Sequence, residues 1–80
     1  MKKTITRRQR DCLEAISEIT RGQGFPPTLT DIASYMNVAH RSTVHRHVSE
    51  LRRMGMVGWS DGKTRTITLT DGGRAALTEG

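Results

Sequence analysis

The chain has 80 residues and carries 13 lysine or arginine side chains against 8 aspartate or glutamate side chains, a net charge of +5. This length allows one domain with a small core, which we expect to span residues 1–80. No apolar run approaches the roughly 18 residues that a membrane span needs, so we expect a cytoplasmic chain without membrane contact. The single cysteine, Cys12, excludes an internal disulfide and a cysteine-rich zinc site. The positive charge either keeps the protein soluble or indicates a polyanionic partner.

The amino-terminal part is predicted to be a loose arm over residues 1–5 followed by one helix. Thr6 can cap this helix, and Gln9, three residues later, completes a capping box. Gly22 and Gly24 are expected to end the helix. Its apolar stripe recurs at helical spacing and consists of Cys12, Leu13, Ile16 and Ile19.

A second, shorter helix follows a stiff link. Phe25 is expected to enter the core, and Pro26-Pro27 imposes an extended approach because a residue before proline avoids helical geometry. Thr28 can cap the new helix, with Asp31 completing a weaker capping box. Asn37 can end the helix because it tolerates left-handed geometry. The apolar face consists of Leu29, Ile32, Ala33 and Met36.

A third helix is predicted over residues 41–54, after a tight turn. Its buried stripe consists of Val44, Val48 and Leu51. His47 lies beside this stripe and is predicted to be packed and hydrogen-bonded. The opposite face carries Ser42, Arg46, Ser49 and Arg53, flanked by Thr43 and His45. A capped helix, a tight turn and a helix with an arginine and hydroxyl face suit the major groove of DNA. The alternative is an ordinary amphipathic helix pair with a solvated charged face.

Residues 56–69 are predicted to form a two-stranded hairpin, called the wing below. Asp61-Gly62 separates two strand-like runs and is typical of a type I′ turn, in which both central residues have positive φ. Lys63 and Arg65 are expected at the tip of the wing or just after it. Trp59 either packs in the core or, if it faces outwards, offers a patch to a protein partner.

A last short helix of one or two turns is predicted after Thr70, which can cap it. Its length is limited because Gly72 and Gly73 each weaken a helix by about 1 kcal/mol relative to alanine. The residues available to pack back on the domain are Ala75, Ala76 and Leu77. The predicted fold class is therefore α+β: a small winged helix-turn-helix with three helices, a two-stranded β-hairpin wing and a short C-terminal helix.

Six short motifs resemble the amino-terminal DNA-binding domain of the LexA repressors. They are T-x-R-Q from Thr6, G-x-P-P-T from Gly24, D-I-A from Asp31, S-T-V-x-R-H from Ser42, L-x-x-x-G from Leu51 and R-x-I-x-L-T from Arg65. The resemblance covers about residues 4–70, and the tail after that is similar to the close of MarR-type winged helices. By resemblance, the base-facing positions are His40, Ser42, Thr43, His45 and Arg46.

Two departures limit what this resemblance implies. The LexA repressors have a carboxy-terminal domain that dimerises and cleaves the chain with a serine–lysine pair. A chain that ends at Gly80 has no room for that domain, so neither property is expected here. The family usually has serine where this chain has His40, and often acidic residues where it has His45 and Arg46. The resemblance therefore does not imply the half-site that LexA reads.

The candidate DNA-binding residues are Thr28, His40, Arg41, Ser42, Thr43, His45, Arg46, Ser49, Arg53, Lys63 and Arg65. Arg46 is expected to pair with guanine, the alternative being a phosphate. Arg52 and Arg53 are expected to reach phosphate or water. The three histidines point apart on one helix, and no cysteine or carboxylate completes a metal set. No nucleophile–base arrangement is visible either. We therefore expect no catalytic residues, no metal and no cofactor.

Two functions fit these patterns. The first is a sequence-specific regulator that binds double-stranded DNA, prokaryotic or phage-encoded, and represses by occupying a promoter. The second is a winged-helix protein-binding module, an adaptor or inhibitor of a larger complex, because fold alone does not fix function. The arginine-rich outer face favours the first, since an apolar or mixed-charge face is more typical of the second. A single small domain buries little DNA, so we expect a weak homodimer or pairing on DNA.

Overall fold

The computed structural model describes residues 5–62 and 66–79, and this part of the chain forms four helices and a two-stranded sheet. The helices are α1 (Arg7–Gln23), α2 (Leu29–Met36), α3 (Arg41–Arg53) and α4 (Asp71–Glu79). The strands β1 (Val57–Gly58) and β2 (Thr68–Leu69) pair antiparallel. This order confirms the α+β winged helix-turn-helix predicted from the sequence. Most of the predicted loose arm lies outside the described residues, as do Lys63 and Arg65.

Two capping boxes begin α1 and α2, as predicted. The Thr6 hydroxyl accepts a hydrogen bond from the Gln9 amide at 3.1 Å, and the Gln9 side chain accepts one from the Thr6 amide at 2.9 Å. Thr28 and Asp31 make the same two bonds at 3.1 and 3.0 Å. Each box satisfies two amides that a helix start otherwise leaves without partners. Asn37 ends α2 in left-handed geometry with a φ of 58°, also as predicted.

The core lies between α1, α2, α3 and the base of the wing. Its buried apolar residues are Cys12, Leu13, Ala15, Ile16, Ile32, Ala33, Met36, Val44, Val48, Leu51, Met56, Val57 and Ile67. Ile19 and Leu29, which were expected in the stripes, are only partly buried at its edge. Burial raises the pKa of the Cys12 thiol to about 12, because a thiolate there would lose its hydration. Cys12 is therefore the small buried hydrophobe that its position predicted.

Phe25 does not enter the core, so the prediction that it would was wrong. Its surface is 45% exposed, whereas Pro27 is fully buried. Gly24 ends α1 in left-handed geometry with a φ of 84°. The chain then leaves the helix with Phe25 on the outside and Pro27 in the interior position. Proline can be buried there without an unsatisfied amide, because it has no backbone N–H.

The wing does not turn at Asp61-Gly62 in the predicted way. A two-residue turn there would pair Val57 with Thr66, but the structure pairs Val57 with Leu69. Gly62 has a φ of 79°, yet Asn37 is the only non-glycine residue with positive φ among those described, so Asp61 lacks the type I′ geometry. The loop is longer than predicted, and its sides are joined by the Ser60 amide, which donates to the Thr66 hydroxyl at 3.0 Å.

Helix α4 has nine residues and packs against α1 and the wing, so it is longer than the predicted one or two turns. The Thr70 hydroxyl accepts the Gly73 amide at 3.2 Å, which confirms the predicted cap, and lies 2.5 Å from the Gly55 carbonyl oxygen, to which it donates. At the other end, the Arg10 guanidinium donates to the carbonyls of Ala76 and Leu77 at 3.0 and 2.9 Å. A cation on the last carbonyls stabilises a helix terminus, which compensates for the two glycines at its start.

Candidate nucleic-acid interface

The exposed face of α3 is built by the periodicity of the helix. One side of the helix is buried at helical spacing, at Val44, Val48 and Leu51, so the positions on the opposite side lie towards solvent. The exposed candidate residues of the helix are Arg41, Ser42, His45, Arg46 and Arg53, and the half-buried ones are Thr43 and Ser49. The structure therefore brings together, on and beside one face, the residues that the sequence assigned to the recognition helix.

His40 occupies the cap position of α3 but does not cap it. Its backbone is extended, its side chain is exposed, and it makes no side-chain bond to the amides of the first turn. Its ring is therefore available at the start of the helix. Within the described part of the chain, the first amides of α3 have no side-chain cap, in contrast to those of α1 and α2.

A cleft of about 260 Å³ separates α3 from the wing. Thr28 and Thr30 at the start of α2 line one side, Arg41 and His45 line the α3 side, and the wing contributes Trp59 and neighbouring residues. Thr28 is the only predicted site residue at the start of α2, and it lines the cleft together with residues of α3 and the wing. The cleft thus has a hydroxyl from one helix and Arg41 from the next in its walls.

The arginines of α3 divide into paired and unpaired groups. Arg53 donates to Glu50, and Arg52 pairs with Asp61 at 3.3 Å. Within residues 5–62 and 66–79, Arg41 and Arg46 form no ion pair with a carboxylate. The Arg53 hydrogen bond lowers the pKa of Glu50 below its ordinary value. The unpaired positive charge therefore lies in the first two turns of the helix, and the paired charge lies in the last turn.

His47 is half-buried beside the apolar stripe, as predicted. No hydrogen bond to its ring is found within the described part of the chain, so the predicted bonding partner is missing there. Its pKa is lowered from 6.5, first by burial and then by the positive charges of Arg46 and Arg8. Each of these causes disfavours the protonated ring.

This lowered pKa predicts a loss of stability in mild acid. The contribution of neutral His47 is fully present above the unfolded pKa of 6.5 and is lost as the pH falls through the lower folded pKa, because the unfolded chain binds the proton first. His47→Gln should reduce the difference in melting temperature between pH 7.5 and pH 5. Thermal unfolding at both pH values checks this, with the exposed His45→Gln as the matched control. An undiminished difference in His47→Gln would contradict the assignment.

No group of three histidine, cysteine, aspartate or glutamate side chains in the described ranges could hold a metal ion. No helix in those ranges is long and apolar enough to cross a bilayer. Trp59, for which the sequence allowed two roles, is half-buried, packs against the core and donates its indole N–H to Asp61 at 3.1 Å.

Sequence reasoning missed the partners of two arginines. It assigned Arg52 to phosphate or water, but the side chain is engaged by the wing. It assigned no role to Arg10, but this side chain holds the end of α4. Arg52 has a weak sequence signal, since Trp59 and Asp61 follow it within nine residues. Arg10 has none, because its partners lie more than sixty residues away.

Comparison with known proteins connects this geometry to a family. A LexA repressor of Halalkalibacterium halodurans is 36% identical over 67 residues, which cover 84% of this chain and 32% of the relative. The chain thus spans about a third of the length of the curated relatives it matches. Among solved structures, Bordetella bronchiseptica BpsR superposes with a TM-score of 0.76 at 26% identity, over 96% of this chain and 53% of that one.

The transcriptional regulator MosR of M. tuberculosis gives a TM-score of 0.72 at 33% identity, over 94% of this chain and 52% of that one. Both superpositions support the winged-helix architecture. The model of the LexA DNA binding domain matches residues 1–66, which include α1, α2, α3 and β1. The chain therefore belongs to the LexA DNA-binding domain family.

Proposed function

We propose that this chain binds double-stranded DNA in a sequence-specific manner and acts as a transcriptional repressor in the cytoplasm. Helix α3 enters the major groove, and the wing lies against the backbone or the minor groove. The observation that carries this proposal is that Arg41 and Arg46, which have no carboxylate partner in the described ranges, lie with His45 on the exposed first two turns of α3. The start of such a helix is the part that usually meets base edges. The repressors and the regulator to which the chain is similar support the same assignment.

The side chains divide between reading bases and holding the backbone. Arg46 projects from the second turn of α3 and can pair with guanine through two hydrogen bonds. Ser42 and Thr43 are short, so they let the helix approach the base edges closely. The Thr28 hydroxyl oxygen accepts a hydrogen bond from the Asp31 amide, so the hydroxyl proton can still be donated to a phosphate.

His40 and His45 are also proposed to face bases, and the remaining proposed contacts are to phosphate. Arg41 lies at the start of α3, where it lines the cleft between helix and wing, and Ser49 lies farther along. Arg53 can reach a phosphate only by releasing Glu50. Lys63 and Arg65 supply charge from the wing. Phosphate contacts fix register and orientation but carry no sequence information directly.

The function predicts DNA binding that weakens steeply with salt, because bound phosphates release their counterions. The test is a mobility-shift titration of random duplex at several salt concentrations. Replacing Arg41, the proposed phosphate contact at the start of α3, by glutamine should lower the slope of log K against log salt by about one. Arg21→Gln is the matched control, since that side chain lies on α1 and pairs with Glu18. Absence of binding at micromolar protein and low salt would instead favour the protein-binding module.

Pairing on DNA is part of the proposal. One small domain buries little of the duplex and would bind weakly alone. We infer a monomer or weak homodimer that pairs on two suitably spaced half-sites, so a site selected from random duplexes should contain two related halves. The genes that this chain regulates are to be identified from the occurrences of the selected site and not from the names of its relatives.

A further inference from the structure

The C-terminal turn of α3 is joined to the wing by three side chains. The Arg52 guanidinium lies 4.2 Å from the centre of the Trp59 ring. It donates to the Asp61 carboxylate at 3.3 Å and to the Trp59 carbonyl at 3.5 Å. The Trp59 indole N–H donates to the same carboxylate oxygen at 3.1 Å. We call this closed set of contacts between Arg52, Trp59 and Asp61 the latch.

The latch lies beyond the last strand pair of the wing, whose base is packed against the core. Each strand of the wing has only two residues, so the ladder ends at Gly58 and Thr68. Beyond that pair, the described links across the wing are the bonds between Ser60 and Thr66. A two-stranded hairpin is marginally stable by itself in water. Contacts from α3 therefore help to orient residues 59–62 of the wing.

The latch also changes the role of a cation that the sequence assigned to phosphate or water. Arg52 is 41% exposed and Asp61 is 82% exposed, so the ion pair alone is weak. The aromatic contact and the shared carboxylate oxygen add to it, because one guanidinium plane can stack and donate at once. With Asp61 beside it, Arg52 adds little net positive charge to the interface.

We propose that the latch orients the wing on the recognition helix before DNA arrives, and that Arg52 is a positioning residue and not a phosphate contact. The effect on DNA rests on the proposed function, whereas the orientation of the wing does not. Arg41 and Arg46 then supply the positive charge that contacts phosphates or bases. Arg52 instead holds the wing in its position beside α3.

The first arm of the test uses the free protein and amide hydrogen exchange. Exchange at residues 57–60 and 66–69 should become about fivefold faster in Arg52→Gln, which loses both the aromatic contact and the ion pair. Arg52→Lys should be nearly as fast, because an ammonium cannot stack and donate in the same plane. Arg53→Gln is the matched control, because Arg53 is adjacent to Arg52 but pairs with Glu50 within α3.

This arm has clear contrary outcomes. Unchanged exchange in Arg52→Gln would overturn the latch. Equal acceleration in Arg53→Gln would also overturn it, because the effect would then be a general loss of helix stability. Adding Asp61→Asn to Arg52→Gln should accelerate exchange little further, since the ion pair between the two side chains is already lost.

The second arm measures binding of random duplex against salt. In Arg52→Gln the dissociation constant should rise about threefold, because the wing is correctly oriented for a smaller fraction of the time. The slope against log salt should not change. A slope lowered by about one would show that Arg52 meets a phosphate and would overturn the proposal. If the wild-type chain bound no DNA, the proposed function would fail, while hydrogen exchange would still decide whether the latch holds the wing.

Discussion

Replacing Gly73 by alanine is expected to lower the free energy of unfolding by about 2 kcal/mol. Gly73 lies in the first turn of α4 and is buried against the chain that leads into the wing. A Cβ atom there would overlap the Met56 carbonyl oxygen. The carbonyl oxygen is a backbone atom, and the position of the Cβ is fixed by the backbone of Gly73. Relieving the overlap therefore requires α4 or the segment before β1 to move. Urea unfolding followed by circular dichroism measures the change.

Gly22→Ala provides the matched control for this substitution. Gly22 lies inside α1, and a Cβ there meets nothing within 4 Å. Alanine should raise the free energy of unfolding by about 0.5–1 kcal/mol, because it favours the helix without a clash. If Gly73→Ala were as stable as the wild type, α4 would not be docked as closely as the contact with Met56 requires.

Replacing Arg46 by alanine should cost roughly 1–3 kcal/mol of binding free energy on the preferred site and flatten the preference at one base pair. Arg46 is exposed, lies in the second turn of α3 and forms no ion pair with a carboxylate in the described ranges. Lys63→Ala is the comparison: it should weaken binding to all sequences alike and lower the salt slope by about one. Titrations against the best site and a scrambled one, at several salt concentrations, separate these two effects.

The opposite pattern would reverse the proposed roles. Equal loss of affinity on both duplexes for Arg46→Ala would make that side chain a phosphate contact. A changed sequence preference for Lys63→Ala would make the wing a reader of bases. Retained protection of the α3 amides from exchange in Arg46→Ala would exclude unfolding as the cause in either case.

Much of the helix-turn-helix was predictable because its signals are local. A capping box needs only a hydroxyl and a side-chain acceptor three residues apart, as at Thr6 and Thr28. Asn37 can adopt left-handed geometry because of its own side chain. The stripe of Val44, Val48 and Leu51 follows from a repeat of 3.6 residues, and the outer face of α3 follows from the stripe.

Two wrong predictions, the burial of Phe25 and the turn at Asp61-Gly62, both depend on which residues reach the core. Phe25 is more apolar than proline, yet Pro27 is buried because the left-handed turn at Gly24 sets the direction of the chain. Asp61-Gly62 has the composition of a two-residue turn, yet the pairing of Val57 with Leu69 requires a longer loop. Turn composition is local, but strand register depends on which apolar side chains reach the core.

The sequence by itself thus determined the positions of the helices, the side-chain caps of α1, α2 and α4, the exposed face of α3 and the family resemblance, because each depends on residues a few positions apart. The tertiary structure alone decided which cations are available. Arg10 and Arg46 are both arginines on amphipathic helices, but Arg10 binds the carbonyls at the end of α4, and Arg46 has no carboxylate partner in the described ranges. Arg52 is held by Trp59 and Asp61. A guanidinium takes whichever acceptor or aromatic face the fold brings within reach, and that choice depends on contacts between separate elements.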